Sequence, residues 1–256
     1  MREPEHPIVL HIPHASVAVP ECVRSQFTIS SRELDQEIAR LTDHHTDCMF
    51  TEAFSDSLAC VFPVSRLVVD PERFEDDSRE PMATRGMGVI YSHGSQKQRI
   101  RRALSDKERT TLLSEYYRPH HDALKRAVQT CLDKDNACLV LDCHSFPSKV
   151  LPYELSRHAK RPQFCLGTDE FHTPEPLVAN IEQAFLRQGY SVAINEPFAR
   201  CLVPQAFFRT DKRVRAIMIE VNRGLYMNED GSLSKRGIRR VIEALRKLRP
   251  VLASAR

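Results

Sequence analysis

Leu139-Val140-Leu141-Asp142-Cys143-His144-Ser145 is the stretch whose reading decides the fold. A run of β-formers stops there at a histidine followed by a small residue. Ile8-Val9-Leu10-His11-Ile12-Pro13-His14-Ala15-Ser16 shows the same pattern near the start of the chain, and Ala216-Ile217-Met218-Ile219 stops at Glu220. An α/β protein delivers side chains to the carboxyl edge of its sheet in this way, and ligands bind at that edge. Two histidines and an apolar-flanked glutamate at three strand ends point to a metal hydrolase.

Working outward, the apolar pattern predicts strands over 7–12, 58–64, 66–69, 88–91, 137–142, 163–167, 190–194 and 214–221. Helical patterns lie between them. Ser30 and Glu33 form a capping-box signature for a helix running to about Ser55, and Ser105 with Glu108 opens another running to about Leu132. Pro119 is expected to kink or split that second helix. Pro174 to Gln188 and Ser234 to Ala253 are the remaining helices. Strands alternating with helices predict an α/β fold with a mixed, largely parallel sheet flanked by helices. Asp70 to Gly88 is long, charged and aperiodic, which places it at the rim of a site.

The 256 residues suit a single domain, 1–256, with 41% hydrophobic and 28% charged residues. No apolar run approaches the ~20 residues of a membrane span. Met1 to Pro7 is polar and lacks an apolar signal segment, so the expectation is a cytoplasmic protein with no membrane partner. A net charge of +3 is too small to imply nucleic acid. The basic residues from Lys235 to Arg249 alternate with apolar ones as on a solvated amphipathic helix. None of the eight cysteines forms a CxxC pair, and they read as reduced, mostly buried hydrophobes. Strand alternation turns Cys143 away from its neighbour His144, into packing. There is no G-x-G-x-x-G and no P-loop.

A hydrolytic zinc site commonly takes two histidines and a carboxylate and keeps one position open. His14 and His144 are the histidine candidates. His11 competes with His14, and both can serve only if Pro13 turns the chain. The carboxylate comes from Thr42-Asp43-His44-His45-Thr46-Asp47, where Asp43 and Asp47 would share one face of a helix. A glutamate ending an apolar strand calls for a partner or a raised pKa, so Glu220 reads as a general base or as a structural ion pair to Arg223. Arginines fork onto substrate carboxylates, and Arg66, Arg73, Arg85, Arg209 and Arg223 all lie near strand ends.

The chain resembles the N-formylglutamate amidohydrolase family over nearly its whole length. His11 to His14 is similar to its Pro-His motif, Asp43 to Asp47 to its aspartate-rich helix, and Ser65 to Arg73 to Ser-Arg-x-x-x-Asp-x-x-Arg. Tyr117-Arg118-Pro119-His120-His121 resembles Tyr-x-Pro-Tyr-His, Asp142 to Ser145 resembles Asp-x-His-Ser, and Ile219 to Met227 resembles the glutamate-containing C-terminal motif. The resemblance implies a phosphorylase/hydrolase-like fold, similar to zinc carboxypeptidases. It implies one zinc per chain on His14, Asp43 and His144, and Glu220 as proton shuttle. Two positions depart from the pattern: Ser16 stands at a usual glycine, and Arg200 falls in a glycine pair after Asn195-Glu196-Pro197-Phe198. Arg200 is expected to change the pocket floor or the loop path.

The reading is therefore a metal-dependent amidohydrolase acting on a small N-acylated amino acid, with N-formyl-L-glutamate the leading candidate. Glu220 and Arg66 are the catalytic candidates and Arg73, Asn195 and Arg223 the substrate-binding ones, with Arg66 or Arg73 expected to neutralise the substrate carboxylate or the developing oxyanion. Nitrogen and carboxylate ligands accept manganese, iron or cobalt as well as zinc. The rivals are a zinc carboxypeptidase-like peptidase and a non-catalytic α/β binding protein of the same fold.

Overall fold

Two nine-residue strands, β3 (Cys138–Phe146) and β6 (Val214–Asn222), form the centre of the sheet. The computed structural model describes residues 7–155 and 160–253, so the polar stretch from Met1 to His6 lies outside it. In chain order the elements are β1 (Ile8–Ile12), α1 (Glu21–Arg24), α2 (Ser31–Leu41), α3 (Thr46–Ala53), β2 (Leu58–Val61), α4 (Asp106–Leu112), α5 (Arg118–Asp135) and β3. Then follow β4 (Phe164–Gly167), α6 (Glu175–Leu186), β5 (Val192–Ile194), β6, α7 (Lys235–Arg246) and α8 (Arg249–Ala253). The sheet order is β2-β1-β3-β6-β4-β5. Its pairs are parallel except β4 with β6, so the sheet is mixed and largely parallel.

Strand alternation sorts side chains onto two faces. Leu10, Leu141, Cys143, Ile217 and Ile219 meet the apolar faces of α3, α6, α7 and α8. Val9, Val140, Val214 and Ala216 meet Leu124 and Val128 of α5 on the other side. A satellite cluster joins Leu34 and Ile38 of α2 to Phe62, Val68, Met87 and Tyr91. Among the described residues no helix is long and apolar enough to cross a membrane.

Both capping boxes form, Ser30 with Glu33 and Ser105 with Glu108. Several boundaries differ from the sequence expectation. The helix expected from Ser30 to Ser55 is two helices, because Thr42 is extended and His45 has φ 63. Asp43 and Asp47 therefore do not share a helix face; Asp43 is buried in the break and Asp47 is exposed on α3. The helix expected from Ser105 to about Leu132 is divided just ahead of Pro119 into α4 and α5, and Pro119 does not end α5. It sits in the first turn of α5, after a wide π turn at Leu113–Tyr117 that carries the chain on from α4. Residues 66–69 and 88–91 form no strand. The buried Arg101 guanidinium donates to the Leu67 and Val68 carbonyls in place of a neighbouring strand, and Asp70 N donates to Val89 O at 2.8 Å. The last helix is divided into α7 and α8 just ahead of Pro250.

Candidate metal centre

In a parallel ladder, paired residues project from the same face. His11 pairs with Asp142, and His144 pairs with Glu220, on successive same-face rungs of β1, β3 and β6. That face is the α5 side of the sheet. His14 arrives from the turn after β1, where its carbonyl accepts Asp43 N at 2.9 Å and so ties the α2–α3 break to the strand end. His14, Asp43 and His144 thus converge, with one ligand atom from each within 4.8 Å of the others. His14 Nδ1 lies 3.6 Å and His144 Nδ1 3.1 Å from Asp43 Oδ2. Ligand atoms ~2.0–2.1 Å from a tetrahedral zinc lie about 3.3 Å apart, so the spacing suits such an ion.

The opposite ring nitrogens are held. His14 Nε2 meets Asp70 Oδ1 at 2.8 Å, and His144 Nε2 donates to Asp142 Oδ1 at 2.9 Å. Carboxylates in this position fix ring orientation and tautomer and leave the other nitrogen for a cation. His14 Nδ1 is buried with no hydrogen-bond partner. A buried imidazole nitrogen left unpaired at the centre of a histidine–aspartate cluster fits a divalent metal.

The electrostatics follow from burial among carboxylates. Burial opposes charge on Asp43, but His14 and His144 outweigh it and hold the carboxyl well below its usual range. Burial opposes charge on His144 as well, and the Asp142 carboxylate reverses it, keeping that pKa well above ordinary histidine. Arg66 holds Asp70 ionised against its burial. Glu220 is 7% exposed, its Oε2 has no partner, and burial pushes its pKa up to about 8. Glu72 is raised by burial and by Asp142.

The arginines divide. Arg66 donates from Nη2 to Asp70 Oδ2 at 2.8 Å and from Nε to the Tyr91 hydroxyl at 3.2 Å. Arg73 Nε lies 3.7 Å from Asp70 Oδ2 with no hydrogen bond. Arg223, expected at substrate, turns to the scaffold: it donates to Asp43 Oδ1 at 3.1 Å, Ser145 Oγ at 3.2 Å and Arg40 O at 2.8 Å. Asn195 donates its side-chain amide to Thr168 Oγ1 at 2.8 Å, at the end of edge strand β5. Cys143 packs in the core, on the face opposite His144. His11 is fully buried and engaged by Asp142 and His120.

Sequence reasoning did not assign Asp70 and Asp142 to the site. Both stand inside quoted motifs, and Asp142, two residues before His144, shares its strand face. At the departures, Ser16 donates to Pro63 O at 2.8 Å. Arg200 has φ 74, the left-handed conformation a glycine adopts freely, so the larger residue keeps a backbone that glycine could also take.

Comparison with known proteins adds the following. The sequence model of a family described as N-formylglutamate amidohydrolase matches residues 6–227. An N-formylglutamate deformylase of Pseudomonas putida is 26% identical over 230 residues, covering 87% of this chain and 82% of that protein. The crystal structure of an N-formylglutamate amidohydrolase from Ralstonia eutropha JMP134 superposes with a TM-score of 0.78 at 25% identity, covering 98% of this chain and 94% of the other. The gene product Atu2144 of Agrobacterium tumefaciens shares the fold, with a TM-score of 0.70 at 18% identity over 98% of this chain and 92% of its own.

Proposed function

The chain belongs to the N-formylglutamate amidohydrolase family, and on that premise we propose that it is a divalent-metal-dependent amidohydrolase cleaving small N-acylated amino acids, N-formyl-L-glutamate first among them. The observation that carries the metal reading is the buried, unpartnered His14 Nδ1 facing Asp43 Oδ2 and His144 Nδ1, which lie 3.1 Å from each other. His14, Asp43 and His144 would hold the ion, zinc or another divalent metal that accepts nitrogen and carboxylate ligands. Such an ion acidifies water and polarises a carbonyl.

The remaining work falls to the chain's own side chains. Hydrolysis adds water to the acyl carbon and breaks the carbon–nitrogen bond, so one proton must leave the water and one must reach the departing nitrogen. Glu220 would make that transfer; its pairing with His144 across β3 and β6, its unpartnered Oε2 and its pKa raised to about 8 support the role. Arg66 and Arg73 neutralise a substrate carboxylate or the developing oxyanion. Arg223 positions Asp43, and Asn195 remains a candidate contact at the loop edge.

The test is a substrate panel on zinc-loaded protein: N-formyl-L-glutamate, its acetyl analogue, formyl amino acids without the side-chain carboxylate, and short peptides. Release of formate and glutamate at the highest kcat/KM is expected. Preferred cleavage of peptides would replace the reading with a peptidase. No turnover of any of them by protein that retains zinc would favour a binding protein.

A further inference from the structure

We propose that His120 is a positioning residue for His144, acting through His11 and Asp142; the inference rests on the metal reading above. Four buried side chains form one file from α5 across β1 to β3. His120 Nε2 lies 3.0 Å from His11 Nε2, His11 Nδ1 lies 2.9 Å from Asp142 Oδ1, and His144 Nε2 lies 2.9 Å from the same oxygen. Exposure along the file is 6%, 0%, 0% and 4% from His120 to His144, so water does not substitute for a missing member.

Proton counting makes the file directional. The ionised Asp142 only accepts, so His11 Nδ1 and His144 Nε2 both carry hydrogen. His144 then turns Nδ1 to Asp43 Oδ2, 3.1 Å away, and that nitrogen would give up its hydrogen to meet a cation. His11 gives its Nδ1 hydrogen to Asp142, so the contact between the facing Nε2 atoms of His11 and His120 needs one hydrogen. His120 supplies that hydrogen from Nε2. Burial and the neighbouring His11 depress the His120 pKa to about 2, which keeps the ring neutral with a single N–H. Phe62 meets the His120 ring edge-on at 5.0 Å and fixes its plane. Asp142 Oδ2 accepts Leu202 N at 2.9 Å, so the carboxylate is held at both oxygens.

The same neighbourhood has a competing use. His11, Glu72 and Asp142 also place ligand atoms within 4.8 Å of one another. The two clusters differ in what is already satisfied. His14 Nδ1 has no partner, whereas both nitrogens of His11 are bonded. Glu72 Oε1 sits 3.2 Å from His11 Nδ1 without hydrogen-bond alignment and adds negative charge beside the file. The geometry therefore favours an outer support for one cation over a second cation.

The experiment titrates metal-free protein with Co²⁺ in competition with a chromophoric chelator and records the cobalt spectrum, the number of ions bound and the melting temperature of the metal-free form. Wild type is expected to take one ion. His120→Phe keeps the ring and loses the donor; it should bind ~10–100-fold more weakly, with the metal-free melting temperature little changed. His120→Gln, whose amide can donate, should recover part of the affinity. If His120→Phe does not fold, His120→Asn, too short to reach His11, replaces it in the comparison with His120→Gln. Wild-type affinity in a variant without the donor overturns the proposal. So does lowered melting without weakened binding, or two ions per chain with the second lost in the variant. A wild-type protein that binds no cation rejects the metal reading itself.

Discussion

Glu220 is the residue whose substitution separates chemistry from metal retention. Its Oε2 has no partner and its pairing neighbour is His144. Glu220→Gln preserves the shape but accepts no proton. This variant is expected to fold, to hold zinc near wild-type stoichiometry and to lose at least ~10²-fold in kcat on the best substrate of the panel. Near-normal turnover by folded, zinc-loaded Glu220→Gln would remove Glu220 from the mechanism. Two adjacent residues on β3 supply a second contrast. His144→Ala should abolish cation retention, because Nδ1 is one of the converging atoms. Cys143→Ser should keep the cation, because its side chain faces the helices on the other side of the sheet. Metal content after gel filtration reads both, and the reverse pattern would overturn the assignment. The alternation rule made this contrast legible in the sequence. The burial of Asp43 rather than Asp47 was not, because it depends on a break in the helix.

At the scale of elements, that break and the 195–202 loop do the positioning. The extended Thr42 and left-handed His45 take the chain off the α2 axis and drop Asp43 against His14 and Arg223. Helical periodicity runs across the break, so it does not reveal it. The loop after β5 returns over the sheet and donates Leu202 N to Asp142. Its Arg200 carbonyl lies 2.0 Å from where a Cβ on Gly167 would stand, with Met218 behind. Gly167→Ala must push this loop or β6. It is expected to cost about 1–3 kcal/mol by overpacking and to weaken cation binding by disturbing Asp142. Denaturant melts and the chelator competition measure the two effects; unchanged values in both would mean the loop yields freely. Residues 66–69 teach the same lesson in reverse. They carry the composition of a strand, but Arg101, from a distant part of the chain, binds their carbonyls, and no neighbouring strand is required.

For the whole molecule, the centre gathers the carboxyl groups of Asp43, Asp70, Glu72, Asp142 and Glu220 around His14 and His144, a set of oxygen and nitrogen donors that would hold a divalent cation. An ion bound only by the folded state stabilises it by mass action, ~2.7 kcal/mol at a hundredfold excess over Kd, or about 5–10 °C in Tm for a chain of this size. Stripping the protein with a chelator should lower Tm by that order, and zinc should restore it; an identical melt with and without zinc would exclude the ion from the folded centre. What the sequence by itself determined was the class of fold and the identity of most candidate site residues. The pattern of apolar runs ending at His14, His144 and Glu220 is local, and strand alternation and capping boxes are governed by nearest neighbours along the chain. What only the tertiary structure decided was which groups meet: Asp70 behind His14, Arg223 on Asp43, and His120 behind His11. Those contacts depend on strand order, on register and on where a helix breaks. Each is set by packing between segments far apart in the chain, and no local pattern carries that information.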